Sequence, residues 1–372
     1  MNCPLQQRRC GGCSRLSVPY DRQLKFKTDK VRALFPCAKP IIGMDTPVHY
    51  RNKVISAFAF NKTGLISGMY AYGTHYVLPT DECLLENKRA DEIVCAVRSI
   101  LSSYKIKAYD ENKKTGLIRF VVVRCAQATG QALVTLVTAN EQLPNAREIA
   151  AQIKKTCPDV RTVIQNINPR SGSAVLGFQE HILLGDGVIE DVLCGQKLLI
   201  SSRSFYQVNS SQAAVLYKKA LDMAQLSKND TVVDAYCGIG IIGLIAAQRV
   251  KKVIGIELNA EAIRMARKNA ALNHQENIEF LQGDAGKILH EMKETPDVVL
   301  LDPPRSGCDE AFLNALCALS PKKICYISCD ITTQKRDADI LFKHGYRLIS
   351  AQPVDMFPHT EHIENIALLS KK

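Results

Sequence analysis

The sequence lacks any uncharged apolar run of about 18 residues, the length that a membrane-spanning helix needs, so we expect no membrane span. Its first residues, MNCPLQQRRCGGC, contain no apolar signal core, which argues against export and favours the cytoplasm. Internal repeats and low-complexity tracts are also absent. The composition, 46% hydrophobic and 23% charged over 372 residues, is that of a soluble globular protein long enough for two domains.

Acidic residues are scarce near the start of the chain. Residues 1–60 contain eleven Lys and Arg against three Asp and Glu, and the whole chain has a net charge of +11. A basic face of this kind raises the local concentration of polyanions, nucleic acid first among them. The same charge also suits a merely solvated surface.

Fourteen cysteines in a chain without an export signal argue against a disulfide framework. They favour buried thiols, metal ligands or catalysis, and most of them stand singly in apolar or helical contexts, where cysteine acts as a small hydrophobe. Cys3, Cys10 and Cys13 form a C-x6-C-x2-C pattern with two glycines in its tight loop. A tetrahedral zinc site or a cubane iron–sulfur cluster needs four such ligands.

The order of strand and helix patterns predicts two fold classes. The second half of the chain alternates short apolar strands with helices, which indicates an α/β domain with a doubly wound, Rossmann-like parallel sheet. The first half has β-rich runs broken by glycine or polar turns and two helical stretches, which indicates an α+β domain on antiparallel strands. We expect a basic cysteine segment at 1–40, a central α+β domain at 41–200 and the α/β domain at 201–372.

A glycine turn, CGIGIIG, follows the strand TVVDAY directly and precedes a helix. Glycines let the backbone turn tightly and approach a ligand, and an acid about 20 residues on can bind ribose hydroxyls. That spacing fits NAD as well as S-adenosylmethionine. Carboxylates lining one sheet edge suit a cationic sulfonium better than a pyrophosphate, although they are also explained as polar caps of buried strands. The four strand-end acids are Asp234, Glu257, Asp284 and Asp302.

The stretch YISCD places Cys329 at the end of a strand, where it is either a buried filler or a nucleophile. Carbon 5 of uracil is too weakly nucleophilic to take a methyl group unaided. Addition of a cysteine thiolate to carbon 6 converts the ring to an enolate, and carbon 5 can then accept the methyl group. A base must then remove the carbon 5 proton, and Glu364 is a candidate, with His359, Glu361 and His362 close by. Arg305 follows the prolines of DPPR where amine methyltransferases usually have an aromatic residue, which argues against an exocyclic amine as target.

These motifs together resemble the RNA uracil-5-methyltransferase family, from end to end of the chain. The resemblance implies that Cys329 is the nucleophile and Glu364 the proton acceptor. It implies S-adenosylmethionine contacts for Gln207, Tyr236, Glu257 and Asp302, with Asp284 as a further candidate. The motifs, in order, are YRNKV, SFYQVN, DAYCGIG, GIE, LDPPR, YISCD and DMFPHTEHIE.

Three departures from the family pattern are visible. Asp330 follows the nucleophile where asparagine is common, and a carboxylate there disfavours the thiolate unless it is paired or turned away. Ile241 stands where many members have a polar residue near the cofactor, so we assign it no contact. The β-barrel RNA-binding module that many members carry before their cysteines is not seen.

The resemblance also assigns the cysteine motif. It implies Cys83 as fourth ligand of a [4Fe–4S] cluster with Cys3, Cys10 and Cys13, with zinc or unligated thiols as alternatives. Within the family this motif accompanies enzymes of 23S ribosomal RNA, so the expected target is a uridine flipped out of a single-stranded loop. A transfer RNA substrate, or a catalytically silent RNA-binding protein, is the alternative, and no feature indicates an obligate protein partner. The candidate phosphate contacts are Arg22, Lys25, Lys27, Lys30, Arg51, Lys53 and Arg119.

Overall fold

The structure is a computed structural model that describes residues 3–172 and 174–371, and the chain divides into two units. The first unit contains residues 1–17, 47–192 and 199–203, and the second contains 18–46, 193–198 and 204–372. Residues 18–46 belong to the second unit, so the segment 1–40 contributes to both units, and the domain bounds expected from the sequence stay a prediction.

Strands follow one another in groups in the first half of the described residues and mostly alternate with helices in the second half. The helices are α1 (Pro4–Gln7), α2 (Tyr20–Leu34), α3 (Lys88–Ser103), α4 (Ala146–Thr156), α5 (Ser210–Ala224), α6 (Ile241–Ala247), α7 (Ala260–Leu272), α8 (Ala285–Glu291), α9 (Glu310–Leu319) and α10 (Ile331–Lys343). The strands of the first half are β1 (Lys53–Asn61), β2 (Gly64–Tyr70), β3 (Val77–Pro79), β4 (Ile118–Cys125), β5 (Ala132–Thr138), β6 (Val160–Ile167), β7 (Gln179–Leu184), β8 (Val188–Leu193) and β9 (Gln196–Ser201). Those of the second half are β10 (Thr231–Ala235), β11 (Lys252–Glu257), β12 (Ile278–Gln282), β13 (Val298–Leu301), β14 (Lys323–Ser328), β15 (Tyr346–Val354) and β16 (Glu364–Lys371).

The first unit is built on a seven-stranded sheet in the order β3-β2-β1-β4-β5-β6-β7. Its pairs are antiparallel except β5 with β6, which are parallel and joined through α4. The central strands β4 and β5 are buried along their whole length, which suits their β-branched residues. Helices α3 and α4 supply the apolar side chains that pack against this sheet. The expected α+β domain is therefore present.

The second unit contains another seven-stranded sheet, in the order β12-β11-β10-β13-β14-β16-β15. Strands β10 to β14 run parallel with helices between them, and β16 is antiparallel to both of its neighbours. The strand order reverses at β10, so the carboxyl ends of β10 and β13 flank the crevice where ligands of such sheets bind. The expected doubly wound, Rossmann-like sheet is confirmed.

Residues 18–46 complete the second unit along the outer strand β15. Ala38 and Ile42 form parallel bridges with Ala351 and Val354 of that strand. Helix α2 buries Lys27, only 1% exposed, whose Nζ donates to Oδ1 of Asp355 at 2.6 Å. No helix among the described residues is both long and apolar enough to cross a membrane.

Candidate active site

The pairing of β14 with β16 brings the two expected catalytic side chains together. Ser328, the last residue of β14, is the register partner of Asn365 in the antiparallel strand β16. Cys329 follows Ser328 and Glu364 precedes Asn365, so the two residues lie next to each other at the same sheet edge. Cys329 is half-buried and Glu364 is buried.

Opposing influences act on the Cys329 thiol. Burial raises its pKa above the ordinary value, and the Glu364 carboxyl raises it further. A hydrogen bond with Arg305 and the charge of that guanidinium lower it. Arg305 also lies 2.7 Å from the ring Nδ1 of His362, measured from Nη2. Arg305 thus connects the DPPR turn, the nucleophile and the segment that leads to Glu364.

The acid that follows the nucleophile is turned away from it. Asp330 is the N-cap of α10, and its side chain accepts hydrogen bonds from the backbone N–H groups of Thr332 and Thr333. These bonds satisfy the carboxylate and two N–H groups of the helix end that would otherwise be unpaired. The condition set by the sequence, a paired or averted Asp330, is therefore met.

Three further polar side chains surround Glu364. Burial raises the pKa of Asp302 to about 7, and burial followed by the charge of Asp302 raises that of Glu364 well above its usual range. Tyr217 is buried, interacts electrostatically with both carboxyls and forms a hydrogen bond with Gln207. Gln207, Asp302 and Glu364 therefore belong to one cluster, although the sequence separates them by up to 157 residues.

The glycine turn after β10 is braced by two carboxylates in different ways. Asp234 is buried and accepts from the backbone N–H of Gly243 at 2.8 Å; a Cβ at Gly243 would lie 2.9 Å from the same carboxylate oxygen. This contact makes Asp234 a brace within the fold. Glu257, at the end of β11, accepts from the N–H of Gly238 at 3.2 Å and from that of Asn259 at 2.8 Å. Glu257 is only partly buried, so it stands at the edge of the crevice.

The other two predicted cofactor residues lie nearby on the same sheet edge. Tyr236 follows β10 with a φ of 63°, a left-handed conformation that costs energy for a residue other than glycine. Its ring packs against Phe312 with centroids 5.2 Å apart. Asp284 caps α8 and accepts from the N–H of Lys287 at 2.9 Å, so part of its hydrogen-bonding capacity is used by the helix.

A model of the tRNA (uracil-5-)-methyltransferase family matches residues 20–372. The chain belongs to that family. Family membership confirms the resemblance drawn from the motifs and identifies the chain as an RNA (uracil-5-)-methyltransferase.

Relatives of this methyltransferase cover nearly the whole chain. An uncharacterized RNA methyltransferase of Halalkalibacterium halodurans is 39% identical over all of this chain and 83% of its own length. One of Listeria innocua is 40% identical over 98% of this chain and 82% of its own. Among solved structures, the Pyrococcus abyssi tRNA (uracil-54, C5)-methyltransferase in complex with S-adenosyl-L-homocysteine superposes with a TM-score of 0.81. It is 26% identical and the match covers 99% of this chain and 87% of that one.

Cys3, Cys10, Cys13 and Cys83 are the predicted ligands of a metal centre. They line one cavity of the first unit, together with Arg51 and Met69. Burial raises the pKa of Cys13 to about 11 and that of Cys83 to about 12, so both thiols are protonated at neutral pH. Over residues 3–172 and 174–371, no three His, Cys, Asp or Glu side chains are arranged as a metal-binding group. The shared cavity and the four-sulfur donor set fit a soft metal centre, and the metal itself stays a prediction.

Two of the expected phosphate contacts are wrong. Lys27 is buried in its ion pair with Asp355. Arg119 is only 4% exposed, donates to the carbonyls of Asn168 and Arg170, and pairs with Glu111 at 2.6 Å. Burial also lowers the pKa of Lys53 to about 8. Arg22, Lys25 and Lys30 are exposed and stay candidate contacts.

The sequence also left functional connections unassigned. Arg305 was noted only as an argument about substrate, yet it contacts Cys329 and His362. Tyr217 belongs to no sequence motif, although it forms a hydrogen bond with Gln207. Only the position of Arg305 beside two prolines could have indicated a role, because a tyrosine inside an ordinary amphipathic helix gives no signal.

Proposed function

We propose that the chain transfers a methyl group from S-adenosylmethionine to carbon 5 of a uridine in RNA, through a covalent adduct with Cys329. The observation that carries the proposal is the adjacency of Cys329 and Glu364 at the ends of β14 and β16. A nucleophile and a separate carboxyl at one sheet edge are what the addition and elimination steps require.

The residues at the sheet edge suit S-adenosylmethionine. Glu257 lies beside the glycine turn, where a carboxylate can accept from ribose hydroxyls, and Asp302 follows β13 on the other side of β10. Gln207, Tyr236 and, at the rim, Asp284 complete the set proposed to hold it. When bound, this molecule supplies the methyl group as an electrophile. The Pyrococcus abyssi structure, which contains S-adenosyl-L-homocysteine, supports this proposal.

The protein's own part in the reaction begins with the Cys329 thiolate, which adds to carbon 6 of uracil and leaves the ring as an enolate. Arg305 stabilises the thiolate through its hydrogen bond and positive charge. After methyl transfer, Glu364 removes the proton from carbon 5, the ring electrons return, and the sulfur–carbon bond breaks to release the thiolate. Burial raises the pKa of Glu364, so the carboxyl must first release its own proton, and the resulting carboxylate is then a stronger base than an exposed one.

We further propose that Cys3, Cys10, Cys13 and Cys83 hold a [4Fe–4S] cluster. The four thiols around one cavity support this assignment, and zinc is the alternative because both centres accept four thiolates. Binding of either metal would displace the protons that the buried thiols hold at neutral pH. The cluster would tie the N-terminal cysteine loop to the region of Cys83 within the first unit.

For the RNA, we propose a uridine in a single-stranded loop of 23S ribosomal RNA, a substrate found in the cytoplasm. The support is the cysteine motif, which accompanies ribosomal RNA enzymes in the family that the chain resembles. Transfer RNA is the second candidate. It is favoured by the tRNA (uracil-54, C5)-methyltransferase of Pyrococcus abyssi, whose fold matches over 99% of this chain.

The test is to incubate the purified protein with labelled S-adenosylmethionine and either unmodified 23S ribosomal RNA or unmodified transfer RNA. The proposal expects 5-methyluridine in 23S ribosomal RNA, mapped to a loop, and none in transfer RNA. Methylation of transfer RNA alone would overturn the ribosomal assignment and keep the chemistry. Methylation of neither, together with no covalent complex on 5-fluorouridine RNA, would support a catalytically silent RNA-binding protein.

A further inference from the structure

The first unit has an aromatic groove that the proposed chemistry does not use. Its floor is formed by Met69 and Tyr70 of β2 and by Phe120 of β4, and its rim by Tyr72, His75 and Glu111. The ring of Tyr70 meets Phe120 edge-on, with centroids 6.2 Å apart, and lies 5.5 Å from the ring of His75. The aromatic rings of the floor therefore pack against one another.

Tyr72 at the rim has the features of a stacking side chain. It is 73% exposed, so its ring is available to stack on a ligand. Its backbone N–H donates to the carbonyl of Arg9 at 2.8 Å, and the preceding Ala71 forms a bridge with Cys10. The cysteine loop therefore fixes the position of Tyr72, while its ring remains accessible.

Positive charge borders the groove. Residues 1–17 contain three arginines and no acidic residue, and the exposed Arg9 is the one bonded to Tyr72 through its backbone. Arg170 lies two residues before Gly172, which lines the groove, but its guanidinium stacks on Phe178 and donates to the carbonyl of Leu176, so it is not counted among the cations of the groove. The acid at the rim, Glu111, is paired with the buried Arg119 at 2.6 Å and with His75 at 3.1 Å. Its charge is therefore largely balanced.

An exposed aromatic ring over an apolar floor, next to a basic segment of the chain, is a combination by which proteins bind single-stranded nucleic acid. The base stacks on the ring and the phosphates meet the cations. We propose that this groove binds an unpaired base of the RNA substrate, other than the uridine that is methylated. The inference rests on the proposed function in one respect, namely that the substrate is RNA. It gives Arg119 a different role from the one first expected: it braces Glu111 under the rim and does not touch phosphate.

The test is equilibrium binding of the full chain to unmodified 23S ribosomal RNA and, separately, to unmodified transfer RNA, without methyl donor, so that catalysis does not enter. Tyr72→Ala should weaken binding about tenfold, because stacking of one base typically contributes that much. Tyr72→Phe, which keeps the ring, should bind within about twofold of the unmodified protein. Tyr76→Ala is the matched control, because Tyr76 is 63% exposed in the same turn yet does not line the groove, and it should also bind normally.

Catalysis provides a second readout. At saturating RNA the kcat of Tyr72→Ala should equal that of the unmodified protein, with the loss confined to KM. Two results would overturn the inference: Tyr72→Ala binds RNA as tightly as the unmodified protein, or Tyr72→Ala and Tyr76→Ala lose the same amount of affinity. Either result would leave the groove to another class of partner, such as a protein. Loss of affinity in Tyr72→Ala together with no methylation of any RNA would instead overturn the proposed function while upholding the groove.

Discussion

Cys329 and Glu364 are neighbours because β16 enters the sheet antiparallel to β14, with Ser328 paired to Asn365. A parallel last strand would have placed Glu364 at the opposite edge of the sheet, since the start of a parallel strand lies at that edge. The reversed strand therefore brings a residue from its first position to the carboxyl end of β14. The same arrangement buries Glu364, and burial raises the pKa of that carboxyl.

Replacing the nucleophile should abolish methylation and spare binding of the methyl donor. We expect Cys329→Ala to reduce kcat more than about 1,000-fold, because the uncatalysed ring is too poor a nucleophile to accept the methyl group. Labelled methyl transfer and calorimetric binding of S-adenosylmethionine measure the two effects. Cys317→Ala is the control, since Cys317 is a buried thiol of α9 and should retain activity. Turnover of Cys329→Ala within tenfold of normal would contradict the covalent mechanism.

Replacing the base should trap the adduct. Glu364→Gln leaves addition and methyl transfer possible but removes the acceptor of the carbon 5 proton, so turnover should fall by about 10²–10⁴-fold. A complex of RNA and protein that survives denaturing electrophoresis should accumulate. The double variant with Cys329→Ala should form no such complex. If the Glu364→Gln variant turns over normally, another group removes the carbon 5 proton.

The rate should rise with pH because the thiolate is the reactive form. Burial and Glu364 raise the pKa of Cys329, so the thiol is mostly protonated at neutral pH and the thiolate fraction grows as pH increases. Arg305 lowers that pKa, so Arg305→Gln should move the rising limb to higher pH. Single-turnover rates measured from about pH 6 to about pH 9 locate the rising part of the pH–rate profile. If the pH–rate profile of Arg305→Gln rises at the same pH as that of the unmodified protein, the guanidinium does not act on the thiol.

The buried ion pair of Lys27 with Asp355 should matter for stability. Lys27→Met leaves a buried carboxylate without its cation, and we expect the free energy of unfolding to fall by about 3–5 kcal/mol. Lys30→Met is the matched control: its pair with Glu361 is exposed on both sides and 3.8 Å long, so the change should stay below about 1 kcal/mol. Urea unfolding followed by circular dichroism compares the two. Equal losses would contradict a special role for the buried pair.

The cysteine cavity should contain iron and acid-labile sulfide. Protein purified without oxygen should yield about four of each per chain, as a cubane cluster requires. Cys83→Ser should lose them, because Cys83 lines the cavity, whereas Cys95→Ser should keep them, because Cys95 lies on α3 outside it. If the protein contains zinc and no sulfide, the site is a zinc site and not an iron–sulfur cluster. If it contains neither iron nor zinc, the cysteines are free thiols.

Local pattern was enough to predict much of the fold. The strand KVIGIE ends where the sequence suggested, at Glu257, because a buried parallel strand appears as a continuous apolar run that stops at the first charge. The glycine turn and the N-cap residues of the helices also follow from local backbone requirements. The structure brings the motif residues Gln207, Asp302, Cys329 and Glu364 into one region, and their roles stay predictions for the experiments above.

The fold class and the family could be read from the amino-acid sequence alone, because periodicity, glycine positions and motif residues are local properties, and the same motifs supplied the candidate catalytic residues. The position of β16 between β14 and β15, the pairing of Asp330 with its helix, and the burial of Lys27 and Arg119 became visible in the folded structure alone. A sequence shows the sign of a charge but not its exposure, and exposure depends on contacts with residues far along the chain. Lys27 meets Asp355 across 328 positions, a relationship that no local pattern contains.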